Sequence, residues 1–198
     1  MPELPQSDPF RWFRQWMDQA QRCSEPEPTA MALSTVDPGG QPTVRIVLLK
    51  AFDRKGFVFY TNLKSAKARH LRARPRAGLC LLWKSMGRQI RIDGVTHQID
   101  DAEADAYFAT RPRGSQIGAW ASRQSAPLDD RSTLEERVEK VKQRFAGQAV
   151  PRPSFWSGFR LVPEVFEFWQ LCPDRLHDRW RFECTANGER WECQRLYP

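Results

Sequence analysis

The chain has 198 residues, with 31 lysines and arginines against 24 acids and a net charge of +7. At 40% hydrophobic and 28% charged residues it is no disordered chain, and its length suits one domain over residues 1–198 with its own core. No apolar run reaches the roughly 20 residues of a membrane helix, and Met1-Pro2-Glu3-Leu4-Pro5 is no secretory leader, so a cytoplasmic protein with an anionic partner is expected.

Asp8-Pro9 opens a helix, since Asp caps and proline fits the first helical position. Phe10, Phe13 and Met17 recur at helical spacing, and residues 24–28 break it, so residues 1–28 form a helix and linker. Residues 31–36 read as a strand, Asp37-Pro38-Gly39-Gly40 as a turn and 44–52 as the next strand. Residues 44–50 and 57–61, joined at Asp53-Arg54-Lys55-Gly56, predict a β-hairpin. Ser65 caps a helix with Lys67 in its first turn. A cation is disfavoured there unless an anion binds the helix start.

Pro75 ends that helix. Residues 77–83 form a buried strand, and 88–95 a strand with Ile90, Ile92 and Gly94 facing in and Gln89, Arg91 and Asp93 facing out. A helix over 101–110 stops at Arg111-Pro112. Residues 111–116 read as a loop whose Arg111, Arg113 and Ser115 suit an oxyanion, although Arg113 equally suits a plain surface charge. Leu134, Val138, Val141 and Phe145 mark an amphipathic helix. Strands follow at 158–161, 165–171, 180–184 and 191–196, the last two joined by Asn187-Gly188; the C-terminal strands of 158–198 complete the sheet. The sum is a mainly β protein with helices: about seven strands in an antiparallel barrel with helical insertions.

Five cysteines without CxxC spacing point to free thiols, and three histidines give no metal cluster, so no metal is expected. The dispersed arginines favour discrete anion sites over a nucleic-acid face. Arg175-Leu176-His177-Asp178-Arg179 is the densest polar group. If extended, it sends Arg175, His177 and Arg179 to one face at roughly 6–7 Å steps. There they repel unless an anion, or a cross-strand acid such as Glu167, joins them.

With that group in place, several separated motifs stand in one order. They are Arg45-Ile46-Val47-Leu48-Leu49-Lys50, Tyr60-Thr61-Asn62-Leu63, Arg111 through Trp120, Phe155-Trp156, Glu167-Phe168-Trp169-Gln170 and Arg175 through Arg179. Over residues 30–198 the chain resembles the pyridoxamine 5′-phosphate oxidase family. The resemblance implies an FMN-binding split antiparallel β-barrel, a homodimer with FMN at the subunit interface, and partners that are small molecules and O2 rather than nucleic acid or membrane. It implies that FMN is held by Arg45, Ile46, Val47, Leu48, Leu49, Lys50, Tyr60, Thr61, Lys67, Gln89, Gln124, Ser125, Trp169 and Arg179. The substrate falls to Lys50, Tyr107, Arg111, Ser115, Arg175 and His177, with Arg175 and His177 as the catalytic pair.

The implied reaction takes a hydride from the carbon bearing the amine or alcohol of pyridoxamine or pyridoxine 5′-phosphate. Pyridoxal 5′-phosphate and hydrogen peroxide result, with ammonia from the amine. Arg45 and Lys50 lie an odd number apart, so a regular strand sends them to opposite faces, and serving one site requires a local twist or a second subunit. The chain departs from the family at Ala66, where an arginine is usual, at Leu171-Cys172-Pro173-Asp174, where a glycine pair is common, and in a short arm before Asp8. The competing readings are a split-barrel flavin oxidase acting on a phenazine precursor and a basic β-barrel that binds nucleic acid.

Overall fold

The computed structural model describes residues 8–23, 25–185 and 190–198. Helix α1 (Pro9–Arg22) starts as its sequence dictates: the Asp8 carboxylate accepts from the backbone N–H groups of Phe10 and Arg11. Its buried face of Phe10, Phe13, Trp16, Met17 and Ala20 lies on an aromatic core. Phe10 and Phe13 meet Phe57 edge-on or stacked, and Trp12 sits 4.3 Å from Phe168. Each phenylalanine buried here contributes about 1.5–3 kcal/mol.

The strands are β1 (Ala30–Val36), β2 (Pro42–Leu48), β3 (Ala51–Asp53), β4 (Gly56–Asn62), β5 (Arg76–Trp83), β6 (Arg88–Gln98), β7 (Trp156–Gln170), β8 (Asp178–Cys184) and β9 (Trp191–Leu196). They form one antiparallel sheet in the order β2-β1-β5-β6-β7-β4-β3, with β8 on β7 and β9 on β8. Helix α2 (Ala66–Ala73) follows β4, and α3 (Asp101–Thr110), α4 (Arg113–Ala121) and α5 (Arg131–Arg144) lie between β6 and β7. Among the described residues no helix is long and apolar enough to cross a membrane.

Strand β7 is the spine. Its first half pairs β4 from Trp156 to Leu161, its second half pairs β8 from Val165 to Gln170, and β6 runs along its other edge. Two strands, 158–161 and 165–171, were expected here, and Pro163 between them has no N–H for the ladder. The strand instead continues through a register shift between Asp93 and Gly94, with Gly94 opposite Pro163. Gly94 is required there, since a Cβ would lie 2.1 Å from the Val162 carbonyl oxygen.

The expected hairpin of 44–50 with 57–61 is also revised. β2 pairs β1, with Arg45 opposite Leu33, and only the three residues of β3 pair back onto β4. The chain leaves the ladder at Leu49 and Lys50, where the Lys50 N–H donates to the Val58 carbonyl. Among the described residues the count is nine strands rather than about seven. The Asn187-Gly188 turn lies outside the described residues.

Candidate active site

A cavity of about 880 Å³ opens between β2, β4, α3 and α4. Arg45, Ile46, Val47 and Leu48 of β2 line it, with Lys50 beyond the strand end, Tyr60 and Thr61 from β4, and Lys67 from the first turn of α2. Tyr107, Arg111, Ser115 and Gln124 close the other side. The break after Leu48 lets Arg45 and Lys50 reach one cavity from positions of opposite parity. Leu49 points elsewhere: it is 4% exposed and belongs to the main core.

Residues 111–116 are not a loop. Pro112 precedes the first turn of α4, which carries Arg113 and Ser115. Arg113 donates to the carbonyls of Gln148 and Phe145, so it ties α4 to the end of α5 and faces no anion. Arg111 stays with the cavity. Its guanidinium lies 4.6 Å from the Trp156 ring, and its buried Nη1 has no hydrogen-bond partner among the described residues.

The cavity wall is flat and aromatic. Tyr60 stacks on Tyr107 with centroids 3.9 Å apart, and Trp156 lies 5.2 Å from Tyr60, nearly parallel. Burial, helped by Glu103 and Tyr107, pushes the Tyr60 hydroxyl up to about 12, so it remains a proton donor at physiological pH.

Among the described residues four cations line the cavity (Arg45, Lys50, Lys67 and Arg111), and no carboxylate does. None of the four is in an ion pair with an acid among the described residues, whereas Arg54, Arg76, Arg152 and Arg160 all are. Burial lowers the pKa of Arg45, Lys67 and Arg111, and Arg45 lowers Lys67 further. A bound anion would relieve all three. Around the α2 start, Lys67 Nζ donates to Thr61 Oγ1, Ser65 caps the Ala68 N–H, and the Ala66 N–H donates to Ser125 Oγ. Gln124 Oε1 accepts from Thr61 and from the Asn62 N–H; with Ser125 it also lines an adjoining cavity of about 340 Å³.

The remaining expected residues form a second group away from this cavity. Gln89 pairs in register with Trp169, and Trp169 with Arg179, so the three make one row across β6, β7 and β8. The His177 ring lies 4.5 Å from that of Trp169, and its Nδ1 accepts from the Cys172 N–H at 3.2 Å. The common strand face expected for Arg175, His177 and Arg179 is absent. Arg175 ends a 3-10 turn with φ near 60°, His177 precedes β8, and only Arg179 is in the strand. Arg179 is joined instead to the buried Glu167, donating from Nε at 2.9 Å and from Nη2 at 2.7 Å. Trp156, in the cavity, and Trp169, in this row, are thirteen residues apart on β7, about 40 Å along the strand.

Sequence reasoning left out Asn62, Thr110, Gly118, Ser122 and Trp156, which also line the cavity. Asn62, Gly118 and Trp156 stood inside quoted motifs, and Thr110 and Ser122 carry no local signal.

Fold and cavity define a split antiparallel β-barrel with a basic, aromatic-walled cavity. The family model described as pyridoxamine 5′-phosphate oxidase matches residues 17–145, and that of the pyridoxine 5′-phosphate oxidase C-terminal dimerisation region matches 156–198. A pyridoxine/pyridoxamine 5′-phosphate oxidase of Azorhizobium caulinodans is 53% identical over 191 residues, covering 96% of this chain and 90% of that one. The crystal structure of PhzG from Burkholderia lata 383, in complex with tetrahydrophenazine-1-carboxylic acid, superposes with a TM-score of 0.93 at 32% identity, over 100% of this chain and 97% of that one. A pyridoxamine 5′-phosphate oxidase-related, FMN-binding protein of Nostoc punctiforme shares the fold at a TM-score of 0.76 and 18% identity, covering 98% and 100%. The chain belongs to the pyridoxamine 5′-phosphate oxidase family.

Proposed function

We propose that this protein is an FMN-dependent oxidase that converts pyridoxamine and pyridoxine 5′-phosphates to pyridoxal 5′-phosphate, with O2 as acceptor and hydrogen peroxide as product. The observation that carries the reading is the cavity with four cations and no acid. Two phosphorylated molecules in one cavity, a flavin mononucleotide and its substrate, use those charges; a substrate without phosphate leaves part of them uncompensated. The residues fit FMN: the cavity volume is in the range of small-molecule sites, Arg111 Nη1 is buried without a partner among the described residues, and Lys67 has a hydroxyl but no acid beside it there.

Arg45 and Lys67, beside the start of α2, hold the cofactor phosphate. Lys50, Arg111 and Ser115 hold that of the substrate, and Tyr107 packs beside it. When bound, FMN supplies the redox chemistry by accepting a hydride and passing the electrons to O2. Around it, the stacked rings exclude water from one side, and Tyr60 offers a hydroxyl that keeps its proton.

The second group belongs to the same site through a homodimer. Gln89, Trp169, Arg175, His177 and Arg179 of one protomer complete the cavity of the other. Support comes from the match to a dimerisation region, the length of β7 between the groups, and the exposed Val44 and Ile46 on the edge strand, 69% and 66% accessible. In that arrangement Arg175 and His177 orient the reacting carbon.

The test is anaerobic addition of pyridoxamine 5′-phosphate to the FMN-loaded protein. Bleaching of the flavin absorption, reversed by air with release of peroxide, is expected. The unphosphorylated amine should react far more slowly; equal rates would reject the phosphate assignment and favour a phenazine-type substrate, as the PhzG likeness allows.

A further inference from the structure

His70 lies on α2, outside the cavity and outside the residues assigned above, yet it ends a polar chain that reaches into the site. Arg45 donates from Nη1 to the Leu33 carbonyl at 3.0 Å and to Thr35 Oγ1 at 2.7 Å, and from Nη2 to Thr43 Oγ1 at 2.6 Å. Those hydroxyls are 3.1 Å apart, and His70 Nδ1 lies 3.2 Å from the first and 3.3 Å from the second. Thr35 is 1% exposed, so its hydroxyl proton must find a partner inside the protein. Arginine has donors only, so both threonine protons must point away from Arg45. Within reach, Thr43 can donate to the Thr35 carbonyl at 3.3 Å, and Thr35 to Nδ1. This requires the neutral imidazole with its proton on Nε2 and a free lone pair at Nδ1.

We propose that His70 is a positioning residue for the cofactor: by accepting the Thr35 proton at Nδ1 it turns the lone pairs of Thr35 toward Arg45, while the Thr35 carbonyl takes the Thr43 proton, and so fixes the guanidinium that faces the flavin phosphate. The proposal rests on the assignment of Arg45 to that phosphate. Three of the five guanidinium N–H groups are taken up by the threonines and Leu33, which leaves two for the anion. Without His70 the Thr35 proton turns to Thr43, the lone pairs rotate, and Arg45 loses its fixed geometry but not its charge.

The experiment measures flavin dissociation constants by fluorescence, for FMN and for riboflavin, which lacks the phosphate. It uses the full-length protein with H70L, H70N, R45M and the R45M/H70L pair. His70→Leu should weaken FMN by about tenfold, the scale of one charge-assisted hydrogen bond, and leave riboflavin unchanged. His70→Asn places an amide group near the Nδ1 position and should recover most of the loss. On the R45M background, His70→Leu should have no further effect on FMN, because the residue acts through Arg45. The proposal is overturned by wild-type FMN affinity in H70L, by parallel loss of FMN and riboflavin, or by additive effects in the pair. If R45M itself leaves FMN affinity intact, the phosphate assignment fails first. An effect of R45M without one of H70L removes His70 alone.

Discussion

Lys67 carries a cost that its ligand should remove. It is 9% exposed, its only side-chain hydrogen-bond partner among the described residues is a threonine hydroxyl, and burial together with Arg45 holds its pKa below the ordinary 10.5. A phosphate dianion beside it favours the charged form and raises that pKa again. The free protein therefore loses the Lys67 proton at a lower pH than the complex does. Between those two values FMN binding takes up a proton, so affinity should fall as pH rises toward 10.5. Titrations of FMN across alkaline pH should show this slope in the wild type and none in Lys67→Met. Arg111 gives a second test. Arg111→Met keeps a side chain against Trp156 but removes the guanidinium. It should lower kcat/KM for the phosphorylated amine by about tenfold to a hundredfold, mostly through KM. At this scale the sequence was informative where chemistry and spacing agree. Arg45, Lys50, Lys67, Arg111 and Ser115 do meet in one cavity. It misled at Leu49, which sits inside a motif yet points into the core, because a motif carries no record of which way a chain turns when it leaves a ladder.

The elements were legible where periodicity is strong. Helices α1 and α3 start at their aspartate caps, and β6 alternates as its isoleucines require. Pairing was not legible. The edge strand β2 carries Val44 and Ile46 on its open face, which in a sequence look like core residues. Local pattern cannot say which neighbour a strand chooses: an antiparallel meander gave β2 both β1 and β4, and only the pairing with β1 forms. The β3–β4 turn does depend on its glycine. Gly56 has φ near +128°, and a Cβ there would stand 2.1 Å from the Leu161 carbonyl oxygen, on a strand that cannot retreat. Gly56→Ala should cost at least about 2 kcal/mol, read as a lower urea midpoint. Gly40→Ala is the control: φ is +95° with nothing within 4 Å, so about 1 kcal/mol of backbone strain is all that is expected.

At the scale of the whole molecule, the second cluster of expected site residues lies far along β7 from the cavity, a separation that no reading of one chain's motifs reveals. The composite site proposed above makes a specific demand. If each active site takes Arg111 from one protomer and His177 from the other, a dimer of an Arg111→Met chain with a His177→Leu chain has one site with both defects and one with neither. Random assembly of equal amounts puts half the dimers in that mixed form, so about a quarter of all sites are intact. Co-expression or co-refolding of the two impaired variants, assayed at substrate well below the wild-type KM, should therefore restore about a quarter of the wild-type kcat/KM per site. If instead each chain folds both groups into its own site, every site carries one defect and mixing recovers nothing. The measurement separates the two architectures, because either variant alone is impaired under both.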